Sequence, residues 1–178
     1  MNKTIRLGIN TGFAINRFPE PHVWTQIVGE VLDLRYVQFT ADLLNPALPD
    51  AIIKRHLREI KQACRKYNVS IEHTFTSAFT RVNHFAHPDK ILRRYWIDWF
   101  KRFVDISCEL GAKSMGSHPG ILSVKDVKDK ARRDFIMNEM VHCWHEVAEY
   151  AKQRGLAYLT WEPMSIKREF GETLSASA

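Results

Sequence analysis

The chain has 178 residues, of which 45% are hydrophobic, and a formal charge of +6, so it suits one globular domain with a sizeable core. No run of about 18 apolar residues is present, which excludes a membrane-spanning helix. The basic excess suits an anionic partner, either a phosphate ester or a nucleic acid, although the basic residues are spread over helix-like stretches as on solvated faces.

Strand-like apolar runs alternate with amphipathic, helix-like stretches along the chain. The predicted strands span residues 5–10, 36–40, 69–75, 112–117 and 156–162, and the predicted helices span residues 23–33, 51–67, 89–110 and 127–153. Pro46 and Pro49 punctuate the turn before the second helix, whereas a long loop over residues 76–88 precedes the third. Gly111 and Gly155 follow the last two helices as stop signals.

Strict alternation predicts parallel strands joined by right-handed crossovers, in either an open doubly wound sheet or a closed barrel. Two features favour the barrel. No Gly-x-Gly-x-x-Gly turn follows the first strand, and polar side chains end four successive strands, where a TIM barrel carries its active site. These strand-end residues are Asp42, His73, His118 and Glu162.

A complete barrel needs eight β/α units in about 250 residues, whereas this sequence supplies five strands. We therefore expect an α/β fold, a parallel (β/α) TIM barrel truncated after the fifth strand, over residues 1–174, with a tail at 175–178. Such a sheet leaves two strand edges unpaired. We expect a homo-oligomer, or another chain that carries the missing units, to cover these edges.

The strongest candidate residue is Glu162, a carboxylate at a strand end, held by the stiff turn at Pro163. It is predicted to be catalytic, as an acid/base group, or to bind a divalent metal; alternatively it pairs with Lys167 or Arg168. His118 lies before a Pro-Gly turn that lets the backbone approach a ligand. Its neutral imidazole is predicted to be catalytic, either by binding metal or by donating a hydrogen bond to a substrate oxygen.

Two further strand ends are predicted to bind substrate. Strand alternation sends Glu72 and His73 to opposite faces of the sheet, and the position of His73 at the strand end favours it as the inward residue. A satisfied core histidine is the alternative. Asp42 is the second candidate, although an aspartate before a turn can equally organise that turn.

The loops after the third and fifth strands supply the remaining predicted substrate contacts. His84 lies in the long loop, where barrels commonly contact substrates. Arg81 in the same loop, and Lys167 and Arg168 after the fifth strand, can clamp a phosphate through charge-assisted hydrogen bonds. The sequence does not say which of these three cations does so.

Three stretches carry a resemblance to a known family: residues 73–84 (HTFTSAFTRVNH), 114–118 (SMGSH) and 160–165 (TWEPMS). The chain resembles the xylose-isomerase-like sugar-phosphate isomerases and epimerases, most closely the branch that handles four-carbon ketose phosphates (erythrulose phosphate) in erythritol breakdown. The similarity runs from the first strand to residues 168–169.

The resemblance implies a divalent metal, Mn²⁺, Mg²⁺ or Zn²⁺, held by a glutamate that matches Glu162. It also implies an acid, a histidine and a second glutamate from later strands, for which this sequence has no counterpart. The implied reaction removes a proton next to the carbonyl of a small phosphorylated ketose, giving an ene-diolate. We expect the 178-residue chain alone to be inactive or nearly so.

Two alternatives remain open. Zinc-dependent abasic-site endonucleases share the barrel, and His73 and His118 fit their pattern, but the further histidines and a basic-aromatic loop for a nucleic acid are missing. The other alternative is an inactive half-barrel or assembly subunit. The start of the chain has no signal-peptide pattern, and its three cysteines form no Cys-x-x-Cys pair, which together predict a cytoplasmic protein.

Overall fold

The computed structural model describes residues 5–76, 81–164 and 166–169. Among these residues, the strands are β1 (Gly8–Asn10), β2 (Tyr36–Thr40), β3 (Ser70–Phe75), β4 (Ser114–Ser117) and β5 (Tyr158–Trp161). The helices are α1 (Pro21–Gln26), α2 (Asp50–Tyr67), α3 (Lys90–Glu109), α4 (Val124–Lys128) and α5 (Lys130–Gln153). A π-helical turn, Ile27–Val31, continues α1, and 3-10 turns lie at Thr11–Ala14, Ala41–Leu43 and His84–Ala86. None of the described helices is long and apolar enough to cross a membrane.

The strands form one parallel sheet in the order β1-β2-β3-β4-β5. Each strand therefore pairs with the strand that precedes it in the chain. The order progresses without the reversal that marks a doubly wound sheet. Over the described residues, the predicted parallel sheet of a partial barrel is confirmed, with five strands of which the first four are each followed by helix.

Several element boundaries differ from the predicted ones. β1 begins at Gly8 rather than at residue 5, and the preceding Leu7 is 71% exposed. β5 ends at Trp161, so Glu162 follows the strand instead of closing it. The helix predicted over 127–153 is two helices, because Asp129 leaves the helical conformation (φ −104°, ψ 113°) and caps α5. The predicted tail at 175–178, and residues 170–174 before it, lie outside the described residues.

The core lies between the sheet and the helices. On α2, the side chains of Ile53, Leu57 and Ile60 recur at helical spacing and are buried. They belong to the same apolar cluster as Val37 and Phe39 of β2. Burying a side chain of this kind contributes roughly 1.5–3 kcal/mol, so this cluster fixes the strands and hence the positions of their ends.

The opposite face of the sheet carries a row of polar side chains. Asn10 donates a hydrogen bond to Gln38, and His73 Nδ1 lies 2.7 Å from Ser114 Oγ. Thr160 Oγ1, 3.4 Å from His73 Nε2, extends the row to β5. Because side chains alternate along a strand, this polar row is the inside of the barrel, and Asn10 and Thr160 at its two ends are exposed.

Candidate active site

His118 and Glu162 follow β4 and β5, and main-chain groups hold these two strand ends together. The Glu162 amide donates to the Ser117 carbonyl over 3.0 Å, and His118 Nδ1 donates to the Glu162 carbonyl over 3.2 Å. The second contact gives the neutral ring the Nδ1–H tautomer, because a carbonyl oxygen only accepts. Nε2 is then an acceptor, suited to take a proton or bind a cation rather than donate to a substrate oxygen.

The surroundings of His118 favour its neutral form. The side chain is 2% exposed, and the ring of Phe75 meets it at a right angle with the centroids 5.4 Å apart. Burial lowers the pKa of His118 below its ordinary value; the carbonyl and carboxylate of Glu162 oppose this shift, and the charge of Arg81 adds to it. At neutral pH the imidazole of His118 is therefore uncharged and able to accept a proton.

The carboxylate of Glu162 is exposed at the carboxyl ends of the strands. We call this end of the five-stranded half-barrel its mouth. Within residues 5–76, 81–164 and 166–169, its side chain makes no hydrogen bond or ion pair, so the alternative pairing with Lys167 or Arg168 is not formed there. Its backbone is hydrogen-bonded, through Ser117 and His118. A strand end thus presents an unshared carboxylate in the place where a barrel binds its ligand.

Glu169 is a second carboxylate in this region that the sequence reasoning missed. Its side chain is 5% exposed; Oε2 accepts from the Met164 amide over 2.7 Å, and Oε1 is buried without a hydrogen-bond partner among the described residues. Burial raises the pKa of Glu169 to about 7; Arg81 opposes the shift and Glu162 adds to it. These charge effects place Glu162, Glu169 and Arg81 in one neighbourhood.

The sequence carried a weak signal for Glu169, namely an acid seven positions beyond Glu162 in the same loop. Its burial depends on an isolated antiparallel bridge between Ile121 and Glu169. This bridge joins the loops after β4 and β5, and no local pattern predicts such a pairing.

The three cations predicted as phosphate ligands differ in their surroundings. Arg168 is half-buried, and its Nη1 donates to the Leu122 carbonyl over 2.5 Å, so it ties two loops together. Arg81 and Lys167 are exposed. The positive charge of Arg81 lowers the pKa values of His118 and Glu169. Arg81 therefore lies near both side chains.

His73 faces the inside of the barrel, as predicted. Its two ring nitrogens meet Ser114 and Thr160, and burial lowers its pKa below the ordinary value. Glu72 instead forms a 2.7 Å ion pair with Lys113. His73 therefore lies in the polar row below the mouth, within reach of a ligand that enters the barrel but already hydrogen-bonded.

Asp42 lies in the 3-10 turn directly after β2, as expected of a strand-end residue. It is half-buried, and its Oδ2 is buried without a hydrogen-bond partner among the described residues. A buried carboxylate oxygen of this kind costs free energy unless a donor reaches it. The position is compatible with a substrate hydroxyl as that donor.

The structure buries His84 in the core, against the turn that follows His118. Its side chain is 0% exposed, and its ring lies among those of Trp96, Phe100 and Trp144, with centroids 5.6–6.2 Å away. Burial lowers its pKa to about 3, so the ring is neutral. The 3-10 turn at His84–Ala86 turns this side chain into the core, which argues against the predicted contact with substrate.

Among the described residues, no three or more His, Cys, Asp or Glu side chains come together in a way that could hold a metal ion. Glu162 is present as a single predicted ligand. The donor set of this part of the chain therefore does not fit a complete divalent-metal site, which in proteins takes six or so oxygen and nitrogen ligands for Mg²⁺ or about four for Zn²⁺.

Known proteins are similar to this chain over about half of their own length. The sequence profile of the xylose isomerase-like TIM barrel family matches residues 31–177. The chain is 43% identical over 171 residues to the D-erythrulose 1-phosphate 3-epimerase of Brucella abortus (strain 2308) and covers 96% of itself and 55% of that protein.

Two crystal structures have the same arrangement. A xylose isomerase-type protein from Rhodospirillum rubrum superposes with a TM-score of 0.87 at 34% identity, over 94% of this chain and 57% of that one. A xylose isomerase-like TIM barrel protein from Mycobacterium smegmatis, in complex with magnesium, has a TM-score of 0.57 at 16% identity, over 89% and 55% of the two chains. The chain thus spans little more than half the length of these proteins.

Proposed function

Because the chain belongs to the xylose isomerase-like TIM barrel family, we propose that it acts on a small ketose phosphate by removing a proton next to the carbonyl. The observation that carries the proposal is the neighbourhood of Glu162, Glu169, His118 and Arg81 at the ends of β4 and β5. Carboxylates and a neutral imidazole are the usual acid/base groups for such a step, and an arginine suits a phosphate. The Brucella relative, an erythrulose-phosphate epimerase by name, supports the same substrate class.

Glu162 is the proposed base, since its carboxylate is exposed and makes no hydrogen bond or ion pair with the described residues. It takes the proton from the carbon next to the carbonyl, and the electron pair moves to the carbonyl oxygen, giving an ene-diolate. If the proton comes from the secondary CHOH carbon, its return on the opposite face of that carbon gives the epimer. Formation of an aldose requires removal of a proton from the terminal hydroxymethyl carbon instead, with return to the carbonyl carbon. The name of the Brucella relative favours the first outcome.

Glu169 is the proposed hydrogen-bond donor to the developing oxyanion. With a pKa of about 7, its carboxyl group holds a proton in a substantial fraction of molecules at neutral pH. Its Oε1, which has no hydrogen-bond partner among the described residues, is the atom proposed to make that contact. His118 Nε2, an acceptor in the neutral ring, can take a proton from a substrate hydroxyl.

Arg81 and Lys167 are the proposed phosphate ligands, since both are exposed beside the mouth and Arg168 is already bonded to Leu122. Asp42 and His73 are proposed to contact the sugar from the second and third strand ends. His84 is proposed to act only through its packing.

Dependence on a divalent metal stays a prediction of the resemblance, with Glu162 as one ligand. The magnesium bound by the Mycobacterium protein supports it. The described residues do not complete such a site, so the steps above are assigned to side chains of this chain alone. The remaining ligands, which lie outside the described residues, would decide between Mn²⁺, Mg²⁺ and Zn²⁺.

We propose that three further β/α units, from the same polypeptide, from another copy or from a different chain, complete the barrel around this mouth. The exposed ends of the inner row, Asn10 and Thr160, support this, as do the edges at β1 and β5, which have no further strand among the described residues. Until they are covered, the 178-residue chain is expected to bind substrate weakly and turn it over little. A cytoplasmic location and a place in erythritol breakdown remain predictions, the first supported by three free thiols and the second by the Brucella relative.

The endonuclease alternative is less well supported. Its proposed zinc ligands, His73 and His118, bond through Nδ1 to Ser114 and to the Glu162 carbonyl, so each has only Nε2 for a metal. No group of three potential ligands surrounds either histidine among the described residues. The basic residues of α3 and α5 largely form ion pairs, as Arg94 does with Glu146, so they offer little free charge to a nucleic acid.

The proposal is tested by titrating D-erythrulose 1-phosphate into the ¹⁵N-labelled chain and following the backbone amides by NMR. Shifts are expected at Arg81, His118 and Glu162. Arg81→Gln should weaken binding about tenfold or more, as the loss of a charge-assisted hydrogen bond does.

Arg55→Gln is the matched control for this titration, because Arg55 is an exposed arginine of α2 that contacts only its helix neighbours His56 and Glu59 among the described residues. It removes the same charge far from the mouth and should leave affinity unchanged. Equal losses in the two variants, or shifts confined to the helices, would show that the sugar phosphate binds non-specifically to a basic surface.

A further inference from the structure

The turn after β4, residues 119–122, is held from the helical side by an indole. Trp144 of α5 donates from Nε1 to the Pro119 carbonyl over 2.9 Å, and both groups are buried. The Trp144 ring packs edge-on against Phe85 and lies close to Phe100, with centroids 4.8 and 5.0 Å away. Packing therefore fixes the orientation of the Trp144 indole. Its hydrogen bond in turn fixes the position of the Pro119 carbonyl in the turn.

The same turn is held from a second element. Asn83, in the loop after β3, donates from Nδ2 to the Ile121 carbonyl. Between the two held carbonyls lies Gly120, with φ +135°, a conformation that side chains rarely adopt. A Cβ at this position would lie 3.1 Å from Met140 Sδ and 3.2 Å from His84 Cε1, so the turn has little room to shift.

On its other side the turn is bonded to the loop after β5. The Leu122 amide donates to the Arg168 carbonyl over 2.9 Å, and Arg168 Nη1 donates back to the Leu122 carbonyl over 2.5 Å. The bridge between Ile121 and Glu169 lies next to this pair. The same segment begins at Glu162, whose carbonyl accepts from His118 at the start of the turn.

We propose that Trp144 and Asn83 are positioning residues that set the places of Glu162 and Glu169 through the turn after β4. Neither touches the carboxylates. Each fixes a carbonyl of the turn, and the turn is bonded to the loop that carries both acids. Trp144 also packs edge-on against Trp161, the residue before Glu162, with the centroids 5.7 Å apart, so Asn83 is the residue that acts through the turn alone. The role in catalysis rests on the proposed function, whereas the mechanical coupling does not.

The test is amide hydrogen exchange, measured residue by residue, in Trp144→Phe. This variant keeps a six-membered ring in the cluster and removes the N–H donor. The amides of Leu122, Glu162 and Met164 are expected to exchange about tenfold faster, which corresponds to a loss of about 1.4 kcal/mol for one buried hydrogen bond. Met164 reports on Glu169 because its amide donates to Oε2 of that residue.

Trp99→Phe is the matched control. Trp99 lies in the same aromatic region and donates its indole N–H to Asn45 Oδ1 over 3.2 Å, outside the turn. It should leave the exchange of the three reporter amides unchanged. Asn83→Ala, which removes the donor on the other side, should reproduce the Trp144→Phe pattern from a separate element.

Two results would overturn the coupling: reporter amides that exchange as in the parent chain, or acceleration spread evenly over α2 and β2, which signals global destabilisation instead. Sugar-phosphate titration of the same samples separates the two claims. If the parent chain binds no erythrulose phosphate but the exchange pattern holds, the proposed function fails and the coupling stands.

Discussion

Glu169 keeps a carboxyl group buried beside another carboxylate, and this arrangement has a measurable free-energy consequence. Its pKa is raised to about 7, chiefly by burial, whereas the unfolded chain ionises near 4.5. Between these two values the native state binds more protons than the unfolded state. The free energy of unfolding therefore falls as pH rises from 4.5 to 7 and loses no more above that range.

Glu169→Gln removes this titration, so the variant should gain stability relative to the parent chain as pH rises. The expected gain between pH 5 and pH 8 is about 2 kcal/mol, measured by urea unfolding at both values. Glu72→Gln is the control, since Lys113 and Ser70 hold the pKa of Glu72 below its ordinary value. Its effect should be a loss of similar size at both pH values. A Glu169→Gln difference that does not change with pH would contradict the buried, proton-holding state.

The backbones of β3, β4 and β5 approach each other closely at Gly116. A Cβ there would lie 2.6 Å from the Phe75 ring, 2.6 Å from Thr160 Oγ1 and 2.9 Å from His73 Nε2. The missing side chain is thus what lets His73 reach both Ser114 and Thr160 in the polar row.

Gly116→Ala is expected to destabilise the chain by about 1–3 kcal/mol through overpacking and to change the imidazole NMR signals of His73. Gly111→Ala is the comparison, because a Cβ there meets nothing within 4 Å and only the φ of +80° is unfavourable. It should cost about 1 kcal/mol and leave His73 unchanged. Equal effects of the two substitutions on His73 would argue against the close approach.

The elements also show how far the sequence alone could go. Alternating strand and helix patterns, with polar residues at the strand ends, correctly predicted the parallel sheet and placed His118 and Glu162 next to each other. The burial of His84 was not predictable. It depends on the backbone of His84 itself, which has φ +30° in the 3-10 turn and directs the side chain between α3 and α5. Glu169 was missed because its position depends on pairing with Ile121, 48 residues earlier in the chain.

The described part of the chain builds one side of a barrel mouth, and this is its decisive property. The described residues supply a base candidate, a proton-holding carboxyl and a cation, but no group of three potential metal ligands. The chain spans 55% of the Brucella relative. We therefore expect a binding surface for a ketose phosphate without efficient turnover.

The most direct measurement of this claim follows the proton next to the carbonyl of D-erythrulose 1-phosphate in D₂O with Mg²⁺, by ¹H NMR. With the purified 178-residue chain, the signal should persist close to the rate without protein, while the amide titration shows that the sugar is bound. Rapid loss of that signal with the unmodified 178-residue chain, but not with Glu162→Gln, would contradict this expectation. This half of the mouth would then be sufficient for catalysis.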